Sequence, residues 1–224
     1  MDAARAARLA RLATARLYLI LDAAPGGRDP LPIVQAALHG GVDIVQLREK
    51  HAPEADIVAT GRRLAAACAR AGALFVLNDR PDLAPEAHAD GFHVGQDDLP
   101  LAEARALAGA GLLAGLSTHS PAQIAAACAP APGDPARPDL IGVGPVWETA
   151  TKPGRQAVGL QLVAHAASAD GAGDLPWFAI GGIDLANAAQ VAAAGAARMA
   201  VVRAIRDAAD PEAAARGFRA HLPA

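Results

Sequence analysis

Apolar residues fall into eight short, nearly unbroken runs, at 17–21, 43–47, 74–77, 91–94, 113–116, 140–143, 177–180 and 198–202. Between most of them lie longer stretches in which apolar residues recur with helical spacing: 31–39, 54–71, 101–108, 121–129, 160–169 and 185–194. The third connection, around 82–88, is short. Continuous apolar runs are the signature of strands covered on both faces, and their alternation with helices predicts a parallel sheet wrapped by helices. Eight such units in 224 residues predict the α/β class and a single-domain (β/α)8 TIM barrel. An open doubly wound sheet would need a glycine-rich turn after its first strand. Gly26-Gly27 follows the first run, but Asp29-Pro30 comes next and no GxGxxG is present. The layout expected over 1–224 is an N-terminal helix within 1–16, eight β/α units over 17–205, and a C-terminal helix within 206–224, its periodic part at 211–221. Pro32, Pro53, Pro100, Pro121 and Asp184 mark helix starts, and the Pro-rich segment 130–138 reads as a surface loop.

Composition narrows the function. Hydrophobic residues make up 53% of the chain, enough for a sizeable core, and the formal net charge is −3. An acidic chain with 3% aromatic residues has neither the basic stripe nor the stacking platform of a nucleic-acid binder. No apolar run is long enough to span a membrane, no signal peptide is evident, and a cytoplasmic protein is expected. Cys68 and Cys128 lie in Ala-rich helical stretches without metal-ligand spacing, and read as core residues in a reducing compartment. Of 20 basic residues only Lys50 and Lys152 are lysine, and Asn78 and Asn187 are the only asparagines. In a chain that uses arginine for routine charge, the lysines mark places where a compact, flexible cation is needed.

Barrel enzymes carry their chemistry at the C-terminal ends of the strands. After run two, alternation puts Gln46, Arg48 and Lys50 on one side and Leu47 and Glu49 on the other. Two cations and an amide converging on the mouth suit a diphosphate. Asp79 after run three and the Asp97-Asp98 pair after run four could share one Mg2+, an ion that takes one or two carboxylates together with phosphate oxygens. Alternation alone leaves open which aspartate of the pair faces inward. Ser117 at run five could meet a phosphate, Ser120 reads as a helix cap before Pro121, and His119 is a candidate acid/base. A long loop after run six carries Thr149, Thr151 and Lys152. Gly181-Gly182 after run seven and Val202-Arg203 after run eight occupy the recurrent phosphate site of this fold. Two anion sites bridged by a loop favour a reaction that joins a diphosphate to a monophosphate.

These segments resemble the thiamine phosphate synthase (thiamine phosphate pyrophosphorylase) family over residues 17–205. The resemblance rests on VDIVQLREK (42–50), LNDR (77–80), ADGFHVGQDDLP (89–100), GLSTHS (115–120), IGVGPVWETATK (141–152), AIGGI (179–183) and VVRAI after run eight. It implies a Mg2+-dependent transferase that joins an aminopyrimidine methyl diphosphate to a thiazole phosphate, giving thiamine phosphate and pyrophosphate. It further implies that Gln46, Arg48, Lys50 and Asn78 bind the pyrimidine diphosphate. Asp79 and Asp98 would hold Mg2+. Ser117 and Lys152 would contact the diphosphate, with Lys152, Arg48, Lys50 and Ser117 catalytic. Thr149, Thr151, Gly182, Val202 and Arg203 would line the thiazole phosphate site, with Leu47, Glu49 and Ala150 as further substrate contacts in the same segments. Arg203 stands where the family often has Ser, and Trp147 where Phe is common. Two rival readings are a thiazole tautomerase working through His119, and a non-catalytic barrel that binds a thiamine precursor. Neither uses the GQDD segment or the TxTK loop. The oligomeric state is not legible.

Overall fold

A computed structural model describes residues 3–149 and 156–223. Its eight strands are β1 (Leu17–Leu21), β2 (Ile44–Leu47), β3 (Leu74–Asn78), β4 (Gly91–Val94), β5 (Leu113–Thr118), β6 (Leu140–Val143), β7 (Trp177–Ile180) and β8 (Met199–Val201). All pair in parallel, in chain order, and β8 closes on β1. The helices are α1 (Ala3–Thr14), α2 (Pro30–His39), α3 (Glu54–Ala71), α4 (Leu101–Ala108), α5 (Pro121–Cys128), α6 (Gly159–Ala167), α7 (Ala188–Ala193), α8 (Arg203–Arg206) and α9 (Pro211–Arg219). The strands lie where the apolar runs place them. The helix expected over 185–194 is shorter. Asp184 accepts hydrogen bonds from the Ala186 and Asn187 amides, so 185–187 form a turn and α7 begins after it. The 82–88 connection forms turns rather than a helix.

Alternation along the strands sorts the core into two layers. Leu17, Leu19 and Leu21 face the helices with Val45, Leu47, Phe75 and Leu77, whereas Tyr18, Ile20, Ile44, Leu74, Val76 and Phe178 fill the barrel. Bulky interior side chains make the lower barrel a packed core rather than a pore.

Below that core the chain ends are tied by a repeated device. Asp43, Asp90 and Asp139 each precede an even-numbered strand. Each carboxylate accepts a backbone N–H at the start of the preceding strand: Leu17 at 2.9 Å, Phe75 at 3.1 Å and Ala114 at 2.8 Å. Arg8 and Arg11 of α1 pair with Asp90 at 3.0 and 2.9 Å, and Arg5 with Asp139 at 2.7 Å. The N-terminal helix is thus a basic plug over an acidic ring. The fourth position of the ring, before β8, holds Arg198, which donates instead to the Ala13 and Ala15 carbonyls at the end of the plug.

Candidate active site

At the other end of the barrel the interior turns polar on one side. Gln46 of β2, Asn78 of β3, His93 of β4 and Ser117 of β5 all follow the inward alternation, at the strand ends where apolar filling stops. Opposite them the wall is Ile20, Phe178, Ile180 and Val202. The result is a cavity of about 350 Å³ opening at the C-terminal mouth. Its floor is an edge-on pair, Tyr18 against Phe178, with ring centroids 5.4 Å apart. Gln46 is 2% exposed and donates from Nε2 to the Tyr18 hydroxyl at 2.6 Å. Burial pushes the Tyr18 phenol well above its ordinary range, so it remains a neutral hydroxyl. Asn78 is 7% exposed, and its Nδ2 has no hydrogen-bond partner among the described residues. A buried donor left open costs stability, and a bound acceptor would satisfy it.

The anionic side sits on the β2–β4 rim. Lys50 Nζ lies 3.3 Å from Asp79 Oδ2. Asp79 has φ +58°, a left-handed conformation that a branched residue would resist. Burial raises its pKa, the neighbouring Asp98 charge adds to this, and Lys50 opposes both. Asp98 is thus a carboxylate that faces Asp79. Asp98 also accepts the Gly95 amide at 2.7 Å. Two carboxylates held together at an electrostatic cost have the donor chemistry for a hard divalent cation. Among the described residues no group of three or more His, Cys, Asp or Glu could hold a metal, so the remaining ligands of such an ion would come from substrate and water.

Arg48 lines the cavity, and among the described residues it makes no ion pair. Leu47 and Glu49 face elsewhere, as alternation requires. Leu47 lies in the outer core, and Glu49 accepts the backbone N–H groups of Ala23, Lys50, His51 and Ala52, which holds the loop carrying Lys50. Their side chains therefore shape the loop and do not reach the cavity. On the far side, Thr149, Gly182, Val202 and Arg203 line the cavity. Ala150, Thr151 and Lys152 lie outside the described residues.

Residues 17–205 match the sequence profile described as thiamine monophosphate synthase. The chain belongs to the thiamine monophosphate synthase family. A thiamine-phosphate synthase from Acidothermus cellulolyticus is 50% identical, covering 96% of this chain and 98% of its own. One from Mycobacterium tuberculosis is 49% identical, covering 96% and 97% respectively. The solved thiamine phosphate pyrophosphorylase from Pyrococcus furiosus superposes with a TM-score of 0.80 at 28% identity, covering 95% of this chain and 96% of its own. The chain is accordingly an enzyme of the transferase class.

Three features of this family member escaped the sequence reading. His93 is 8% exposed, and its Nε2 lies 3.0 Å from Ser117 Oγ. Its ring fits because Gly115 on the next strand has no side chain: a Cβ there would lie 2.3 Å from His93 Nδ1. The signal was an inward histidine followed by a glycine on β5. Tyr18, in an apolar run, gave no sign that its hydroxyl would meet Gln46. Asn187 donates to the Gly182 carbonyl at 2.9 Å and accepts the Asp184 amide, so it fixes the β7 turn. The glycines of that turn have φ of +105° and +66°, and a Cβ on either would strike Pro145 or Trp147. They let the β6 loop close over the turn as well as exposing backbone to the cavity. His119 donates from Nδ1 to the Gly144 carbonyl at 2.5 Å, which ties β5 to the same loop.

Proposed function

We propose that the chain condenses 4-amino-2-methyl-5-(diphosphooxymethyl)pyrimidine with 4-methyl-5-(2-phosphooxyethyl)thiazole, giving thiamine phosphate and pyrophosphate, with Mg2+ as cofactor. The observation that carries this reading is one cavity with two unlike ends. Buried amides, Gln46 and Asn78, stand over an aromatic floor beside Arg48, and Lys50, Asp79 and Asp98 cluster next to Asn78 outside the cavity lining. Amide donors over an aromatic floor suit a heteroaromatic ring, and the adjoining cations suit a diphosphate attached to it. The Gly182, Val202 and Arg203 side offers backbone and charge to a monophosphate.

In this mechanism the pyrimidine diphosphate loses pyrophosphate in a dissociative step, because the electron-rich ring stabilises the methylene cation. The thiazole nitrogen then forms the new C–N bond. The protein supplies no nucleophile. Arg48 and Lys50 neutralise the departing charge, and Ser117, held by His93, donates to a phosphate oxygen. Asn78 and Gln46 orient the ring, and Thr149 with the β7 and β8 turns holds the thiazole in line. When bound by Asp79 and Asp98, Mg2+ would supply further charge neutralisation on the diphosphate. Lys152 and Thr151, on the loop after β6, would follow the leaving group and complete the thiazole side.

The test is synthesis of thiamine phosphate and pyrophosphate from the two substrates, with and without Mg2+. Mg2+-dependent product is expected, with kcat lowered at least about 100-fold in Lys152→Ala. Absence of product under both conditions overturns the synthase reading. An unchanged kcat in Lys152→Ala removes that residue from the mechanism.

A further inference from the structure

The β8 turn that the proposed thiazole phosphate site depends on is built from weak local parts. β8 ends at Val201, Val202 has φ −111° and ψ −94°, and α8 is four residues long without a side-chain cap. A single helical turn does not hold itself in water. Two contacts hold it here. Ile205 is fully buried beneath it. Arg206 crosses to the C-terminal end of β1, where its Nη1 donates to Asp22 at 2.8 Å. The same guanidinium donates from Nε and Nη2 to Asp207, at 2.7 and 2.8 Å. Arg28 closes the ring, donating to the Arg206 carbonyl at 3.1 Å and lying 3.7 Å from Asp207. Arg206 thereby uses its planar fork on two carboxylates, one after β1 and one at the end of α8, a geometry lysine cannot copy. One turn earlier on the same helix, Arg203 lines the cavity and makes no ion pair among the described residues.

We propose that Asp22 and Arg206 are a positioning pair, acting through the Val202–Arg203 turn to place its backbone and the Arg203 side chain against the phosphate of the thiazole substrate. The inference rests on the synthase reading above. Asp22 does not line the cavity. It fixes the β8 turn to β1, and β1 is the strand between the two halves of the site, with Arg48 after β2 on one side and Arg203 after β8 on the other.

The experiment is steady-state synthesis with each substrate varied in turn, for the wild type, Asp22→Asn, Asp22→Glu and Arg206→Lys, alongside thermal melts. Asp22→Asn and Arg206→Lys are expected to raise KM for the thiazole phosphate about tenfold or more while KM for the pyrimidine diphosphate stays within about twofold. Asp22→Glu, which keeps the charge, is expected to recover most of the loss. A parallel rise in both KM values, or a lowered Tm with neither KM changed, marks a merely structural salt bridge and overturns the proposal. Calorimetry with the thiazole phosphate alone separates the two readings. A wild type that binds it about tenfold more tightly than Asp22→Asn upholds the pair even without turnover, and equal binding overturns the pair while leaving synthesis intact.

Discussion

Replacing Gly115 with alanine tests how closely the catalytic wall is fitted. The new Cβ would lie 2.3 Å from His93 Nδ1, 3.1 Å from Cγ and 3.2 Å from Cε1. Ordinary contacts of this kind are near 3.4 Å or more, so the ring must retreat by about 1 Å. It cannot do so without stretching its 3.0 Å contact with Ser117. Overpacking of this order costs about 1–3 kcal/mol, and for a domain of this size each kcal/mol lowers Tm by about 2–4 °C. A displacement of about 1 Å in a positioned group lowers the rate about 100-fold. Both effects should be read as a cycle with His93→Ala, which removes the collision partner. In that background Gly115→Ala is expected to cost little further stability or rate, giving a coupling above about 1 kcal/mol. The assays are thermal melts and initial rates of thiamine phosphate formation for the four proteins. Equal losses in both backgrounds would refute the argument that Gly115 is there to seat His93.

Other expectations follow from the same geometry. Asp79→Asn should abolish synthesis yet raise Tm at pH 8 without Mg2+. The raised carboxylate pKa means that the native state holds its proton more tightly than the unfolded chain, so stability is lost as pH rises through the folded pKa and stays lost above it. Asparagine carries no such charge and suits φ +58°, so the gap should narrow as pH falls toward about 4, and a lower Tm at pH 8 would contradict it. Asp90→Ala at the bottom of the barrel removes the cap on Phe75 N and the partner of Arg8 and Arg11. It should cost about 2 kcal/mol or more in denaturant unfolding with kcat unchanged, and a comparable loss of kcat would mean that the two ends of the barrel are coupled. Cys68 is fully buried, its thiol pushed up to about 12 by that burial, and should not react with a thiol reagent at pH 8 until the protein unfolds.

The order of the strands and their burial were legible in the chain because a strand covered on both faces must be apolar throughout, and eight of them with helices between have one closed solution. Gln46, Arg48 and Lys50 could be placed on one side because strand alternation is a local rule, and Leu47 and Glu49 fell on the other for the same reason. The rare lysine Lys50 marked the mouth. Motifs at strand ends carried the family resemblance. What the chain could not disclose are contacts between strands whose register is set only when the barrel closes. Asp98 faces Asp79, and the Gly95 amide holds its carboxylate. His93 meets Ser117 because the neighbouring strand leaves Gly115 beside it. Tyr18 reaches Gln46 diagonally on the neighbouring strand, and Arg206 reaches Asp22 across 184 residues of sequence. Local pattern fixes which face a side chain takes. Only closure of the barrel, a long-range event that matches β8 to β1, decides which side chain from another strand stands opposite it.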